Sequence, residues 1–167
     1  MNDWWTQVWE GVCQDFADLP SLTVATRLIV RLLSAAVLGG LLGFEREERG
    51  KAAGLRTHML VTTGAALLVI VAEQYGASTA DLSRIIQGIV TGIGFVGAGA
   101  ILKMTDQGQV RGLTTAASIW MATAVGLAAG LGKLALAVSG TVLTLIILAV
   151  LPVIERRLGV HEDQEPH

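Results

Sequence analysis

The 167-residue sequence holds a single cysteine, Cys13. That excludes an intrachain disulfide framework and a multi-cysteine metal centre. Charge is also scarce: Asp, Glu, Lys and Arg make up 16% of the chain, against about 25% in ordinary soluble domains. The charges that exist are clustered, which leaves long stretches with none. There is no basic excess either, with 12 Lys and Arg against 14 Asp and Glu, so a nucleic-acid partner is not expected. The first twenty residues carry Asp3, Glu10, Asp15 and Asp18 but no Lys or Arg, so the basic start of a signal peptide is missing. A nucleophile elbow and a phosphate-binding loop are absent too. His58 is the only histidine ahead of the C-terminal tail, with no second His or Cys at metal-ligand spacing. Neither an enzyme nor a resident cofactor is expected.

What the sequence has in quantity is apolar length. A spanning helix needs roughly 20 mainly apolar residues, because each residue adds about 1.5 Å across a hydrocarbon core of about 30 Å. Five segments qualify: Leu22 to Phe44, Thr57 to Tyr75, Ile85 to Leu102, Leu113 to Leu131 and Lys133 to Ile154. The fold class is therefore an all-α membrane protein with five transmembrane helices, set in the lipid bilayer over residues 22–158. Gly130-Leu131-Gly132 leaves only a tight turn between the last two spans, and one long bent helix is the alternative there. Residues 1–21 read as an extracytoplasmic segment. Trp4, Trp5 and Trp9 suit a short helix at the headgroup level, where the ring stays apolar and its N–H stays wet. Residues 159–167 read as a short, acidic, disordered tail.

Orientation follows from the distribution of basic residues. With five spans, Arg46, Arg49, Lys51, Arg56, Lys103, Arg111, Arg156 and Arg157 all fall on one side. The N-terminus is expected outside and the C-terminus in the cytoplasm.

Two sequence features organise the spans. The first is a weak internal repeat. Gly54-Leu55-Arg56-Thr57 and Gly112-Leu113-Thr114-Thr115 open the second and fourth spans at an offset of 58 residues, which also matches Gly39 with Gly97 and Gly50 with Gly108. A 2+2+1 arrangement results, with spans one–two and three–four as parallel repeats and the fifth span packed outside. On that reading Gly39 meets Gly97, and Thr57 meets Thr115, along a central axis. The second feature is glycine. Gly88, Gly92, Gly94, Gly97 and Gly99 crowd the third span, Gly39 and Gly43 lie four apart in the first, and Ser118, Ala122, Gly126 and Gly130 form a ladder in the fourth. Small residues at this spacing allow helix backbones to approach closely. A broken helix with freed carbonyls at Thr91-Gly92-Ile93-Gly94-Phe95 is the alternative, and it would line an ion path. Five spans in so short a chain leave small-residue faces to cover, so a homodimer is expected.

The candidate functional residues are polar groups at the two ends of the spans. Arg31 lies about 13 Å below the outer end of the first span, too deep for idle surface. It should snorkel or pair, with Glu73 and Asp81 the nearest partners by topology. The inner end holds Glu45, Arg46, Glu47, Arg56, Thr57, Thr114 and Thr115 around a small polar vestibule. A Gly/Thr helix start beside arginines can take an anion. A carboxylate pair can take Mg2+ instead. The sequence leaves both open.

Several of these segments resemble one family. Arg31-Leu32-Leu33-Ser34-Ala35-Ala36-Val37-Leu38-Gly39, Gly43-Phe44-Glu45-Arg46-Glu47, Gly54-Leu55-Arg56-Thr57-His58, Gly92-Ile93-Gly94-Phe95-Val96-Gly97-Ala98-Gly99 and Gly112-Leu113-Thr114-Thr115-Ala116-Ala117-Ser118-Ile119-Trp120 are similar to the MgtC/SapB family of bacterial membrane proteins. The resemblance covers Thr26 to Gly132. It implies an inner-membrane protein linked to low-magnesium adaptation and, in pathogens, to survival inside host cells. It also implies a modulator of other membrane machinery, the proton-translocating ATP synthase among them, with a membrane protein or peptide as partner. The best-known members carry a cytoplasmic C-terminal domain that this sequence lacks, so the chain is more similar to the short SapB-type members. A small-ion channel or transporter is the alternative. It is disfavoured because the second to fifth spans hold no Asp or Glu between their ends, whereas Mg2+ needs oxygen ligands.

Overall fold

A computed structural model describes residues 3–17, 21–102 and 111–157. These form six helices: α1 (Asp3–Ala17), α2 (Leu22–Glu48), α3 (Leu55–Gln74), α4 (Thr79–Leu102), α5 (Leu113–Gly130) and α6 (Leu134–Arg157), with no strand among the described residues. Five of them, α2 to α6, are long and apolar enough to cross a membrane. The all-α, five-span architecture read from the sequence is the observed one. The predicted tail and the loop 103–110, with Lys103 and Asp106, lie outside the described residues.

The chain divides into two compact units, Met1–Val30 and Arg31–His167. In the first, α1 stacks Trp4 on Trp5 with ring centroids 4.0 Å apart. Trp4, Trp5, Val8, Trp9 and Val12 are all exposed on this helix.

Local chemistry sets where the helices of the second unit stop and start. The turn at Gly130-Leu131-Gly132 is a true break. The Lys133 N–H donates to the Ala128 carbonyl (2.8 Å) and the Gly132 N–H to that of Ala129 (2.9 Å), while Gly132 takes a φ of 71°. This is the six-to-one, five-to-two closure that uses glycine at the helix end, where a left-handed residue is required. Gly50 and Gly76 end α2 and α3 in the same way. The single bent helix is thereby excluded. At the start of α4, Ser78 and Asp81 cap each other. The Ser78 N–H and hydroxyl donate to Asp81 Oδ2 at 3.2 and 2.6 Å, and the Asp81 N–H donates back to Ser78 Oγ at 3.3 Å.

The centre of the unit is α5, which packs on α3, α4 and α6. Ala122, Val125 and Ala129 of α5 share one cluster with Ala35, Leu38 and Leu42 of α2, Ala66 of α3 and Ala137 of α6. Apolar side chains gain little from leaving lipid for protein, so contact must come from close fit. Glycine supplies it. A Cβ on Gly126 would collide with the backbone of Thr62, and one on Gly130 would sit 2.7 Å from the Ala66 carbonyl oxygen. Likewise, a Cβ on Gly43 would sit 2.6 Å from the Leu55 Cα.

The two predicted hairpins close in matching register. Gly39 faces α3 at His58 and Thr62, and Gly97 faces α5 at Ala116, where an added Cβ would sit 3.7 Å from the Ala116 Cβ. Positions 39 and 97, and 58 and 116, both differ by the repeat offset. Gly39 and Gly97 do not meet on an axis, however; each closes its own hairpin.

Two readings of the third span are corrected here. Gly88, Gly92, Gly94 and Gly99 do not pack inside the bundle, because a Cβ on any of them would meet nothing within 4 Å. The helix is continuous through Thr91–Phe95, so its carbonyls stay in the helical ladder and form no filter. The fifth span packs on α5, yet it is not the most open helix. Helix α6 buries Ala137, Thr141, Thr144 and Leu148 along one side, whereas the membrane window of α4 has no buried residue. Small-residue spacing shows that a helix can be approached closely, but spacing alone cannot say which way the helix turns that face.

Candidate functional site

Two polar sites stand out. At the end where α3 and α5 finish, Arg31 Nη1 donates to Glu73 Oε2 at 2.6 Å and to the Gly130 carbonyl at 2.9 Å. The guanidinium also lies against Gly132, whose Cβ, if present, would sit 2.5 Å from Nη2 and 2.9 Å from Cζ. One side chain on α2 thus ties the end of α3 to the α5–α6 turn. Of the two partners expected, Asp81 is not the one used, because its carboxylate caps α4.

The second site lies where α2 ends and α3 begins. Arg46 is 2% exposed. Its Nη1 is 3.6 Å from Glu45 Oε2, and Arg49 Nε is 2.5 Å from Glu45 Oε1. Neither contact has hydrogen-bond alignment: both Glu45 oxygens, and Nε and Nη2 of Arg46, are buried without a hydrogen-bond partner. Charge, not directed bonding, holds this trio. Glu47 has a different task. Its Oε2 accepts the Leu55 N–H at 2.8 Å, which fills one of the free donors at the start of α3 and places a carboxylate where an anion would otherwise dock. The two carboxylates are therefore engaged separately. Among the described residues no group of three His, Cys, Asp or Glu side chains could hold a metal.

The remaining candidates separate. Arg56 and Thr114 are exposed, Thr57 is half-buried and Thr115 is buried. The bond that joins α3 to α5 at this level is made by His58, a residue the sequence reading had set aside. His58 is fully buried. Its Nδ1 lies 3.0 Å from the Gly54 carbonyl and its Nε2 lies 3.1 Å from Ser118 Oγ. The Gly54 carbonyl can only accept, so Nδ1 donates to it, while Ser118 Oγ stands between Nε2 and the Thr115 carbonyl, to which its hydroxyl donates at 2.8 Å. One turn further on, Thr62 donates to the His58 carbonyl at 2.9 Å. The available signal was the four-residue spacing of His58 and Thr62, opposite the small-residue ladder that begins at Ser118. A histidine inside a spanning helix has to find such a partner.

Comparison with known proteins agrees with this architecture. The model of the MgtC family matches residues 32–157. YhiD of Escherichia coli K12, whose descriptive name proposes a magnesium transporter, is 44% identical over 135 residues, covering 76% of this chain and 61% of YhiD. SrpB of Synechococcus elongatus is 41% identical over 133 residues, covering 73% of each chain. MgtC of Salmonella typhimurium is 43% identical over 117 residues, covering 70% of this chain and 49% of MgtC. The chain thus spans a little under two thirds of YhiD and about half of MgtC. No solved structure matches it. Matched over residues 32–157, the chain belongs to the MgtC family of multi-pass bacterial membrane proteins.

Proposed function

We propose that this chain is a magnesium-linked regulatory protein of the bacterial inner membrane, which acts by contact with other membrane proteins and does not conduct magnesium. The name of YhiD supports the link to magnesium, and the family supports the setting. The observation that carries the choice between regulator and conduit is the position of α4. Its Thr91–Phe95 segment is unbroken helix on the outside of the unit, with Thr91, Gly92, Gly94 and Phe95 exposed. Inside, the α3–α5 seam is closed by backbone contact at Gly126 and Gly130. A conduit needs oxygen ligands around a path. Here the glycines close the interior, and Gln87 and Thr91 of α4 lie on the exposed side of the unit.

The test is magnesium flux into liposomes containing the purified protein. The reading expects no flux above protein-free vesicles. Reproducible flux that disappears on Gly94→Leu would overturn it.

The orientation belongs to the same proposal. The cluster Arg46, Arg49, Lys51 and Arg56 at the α2–α3 end supports a cytoplasmic location for that end and an outside location for Trp4. Labelling of single cysteines in intact cells tests this. Labelling of positions 4 and 167 from the same side would contradict it.

A further inference from the structure

Every residue of α1 from Trp4 to Gln14 is exposed, yet the helix is sorted by face. Trp5, Val8, Trp9 and Val12 recur at three- and four-residue steps and so share one side. Trp4 flanks them and is drawn onto the same side by its stack on Trp5, at a centroid distance of 4.0 Å. The opposite side carries Gln7, Glu10 and Gln14. Asp15 falls in the last turn, at the border of the apolar side by register. Three of the four tryptophans of the chain thus line one face of a helix about 22 Å long. The description of α1 within the first unit leaves this face uncovered.

We infer that this face of α1 lies in the lipid–water interface beside the start of α2, against zwitterionic phospholipid. Position argues for lipid as the occupant. The spanning helix α2 begins at Leu22, five residues after Ala17 ends α1. Five residues of chain reach at most about 18 Å. The tether keeps α1 beside the bilayer, so contact with lipid is an intramolecular event, at an effective concentration that a soluble partner does not match. Side-chain chemistry argues the same way. A tryptophan ring enters the acyl boundary while its N–H stays among headgroup oxygens, and a helix lying in the plane sinks its apolar face about 5–10 Å. Charge then selects among lipids. No Lys or Arg precedes Arg27, whereas Asp3, Glu10, Asp15 and Asp18 do. This helix has nothing to attract an anionic surface and is repelled by one. Seated in this way, α1 fixes the depth of the first turns of α2. The inference depends neither on the regulatory reading above nor on the side of the membrane assigned to Trp4.

Two measurements on the full chain in phosphatidylcholine nanodiscs test it. In a Trp120→Phe background, tryptophan emission comes from Trp4, Trp5 and Trp9 alone. Lipid brominated near the headgroup end of its chains should quench that emission several-fold more than lipid brominated near the chain ends, and acrylamide should quench it several-fold less than free tryptophan. Emission untouched by brominated lipid would overturn the inference, whether acrylamide reaches the rings, as in water, or does not, as under a covering protein. Stronger quenching by the chain-end bromines would put the helix across the bilayer and overturn it too. Protection from acrylamide that is equal or stronger when phosphatidylglycerol replaces phosphatidylcholine would contradict the assigned lipid class. The second measurement uses a Cys13→Ser background. A water-soluble maleimide should label Gln14→Cys several-fold faster than Val12→Cys, because the two positions lie on opposite sides of α1. Equal rates would contradict the assigned face.

Discussion

At the scale of single residues, the structure gives the spanning segment's ionisable groups unequal tasks. Arg31 is the clearest. Facing lipid at its depth would cost at least about 2.5 kcal/mol, and the protein answers with Glu73 and the Gly130 carbonyl. The pair is partly exposed, with side-chain accessibilities of 16% and 32%, so removing one partner should cost less than the 3–5 kcal/mol of a fully buried pair. Arg31→Ala should lower the thermal midpoint of the purified protein, and Arg31→Lys should restore only part of it, since an ammonium lacks the guanidinium's fork. A midpoint unchanged by Arg31→Ala would show the bridge to be idle. Ser118→Ala should cost about 0.5–1.5 kcal/mol, the net worth of one hydrogen bond, read as a shift in the denaturation midpoint. The need for an Arg31 partner was legible in the sequence, because depth and charge alone create it. The pairing of His58 with Ser118 was not, because the two residues are sixty apart and only the packing of α3 on α5 makes them neighbours.

At the scale of elements, the existence and order of the five spans could be read from apolar length, and the break before the last span from Gly130-Leu131-Gly132, whereas the Ser78–Asp81 cap starts α4 at Thr79, ahead of the Ile85 that apolar length gave. The faces could not. The same small-residue spacing appears in α5, where Gly126 and Gly130 touch α3, and in α4, where Gly88 and Gly92 touch nothing. Spacing records that a helix can be approached closely but not by which neighbour. This contrast gives a paired prediction. Gly126→Leu drives a side chain into the Thr62 backbone and should cost well above the roughly 1–3 kcal/mol typical of overpacking, so the protein should fail to accumulate in membranes. Gly99→Leu has open space and should accumulate at wild-type level. Quantitative immunoblotting of membrane fractions measures both; equal levels of the two variants would refute the assignment of inner and outer faces. A third variant addresses the turn. Gly132→Ala must place a Cβ at positive φ, which costs roughly 1–2 kcal/mol, and must displace the Arg31 guanidinium, so its midpoint should fall below that of Arg31→Ala.

At the scale of the whole molecule, the second unit combines a closed interior with an exposed outer face on α4. The repeat is visible in the matching closure of the α2–α3 and α4–α5 hairpins, and the departure from it explains the rest. The first hairpin and α5 wall off the core, while the third span is left with its polar and glycine-rich side unpartnered within the chain. Gly126, Gly130 and His58 thus fold the protein, and the proposed regulatory contact falls to the exposed outer side of α4. The most direct measurement is growth in low magnesium of cells whose only copy carries Gly92→Leu, with membrane abundance determined in the same cultures. The account predicts normal abundance and failed growth. Normal abundance with full growth would contradict it.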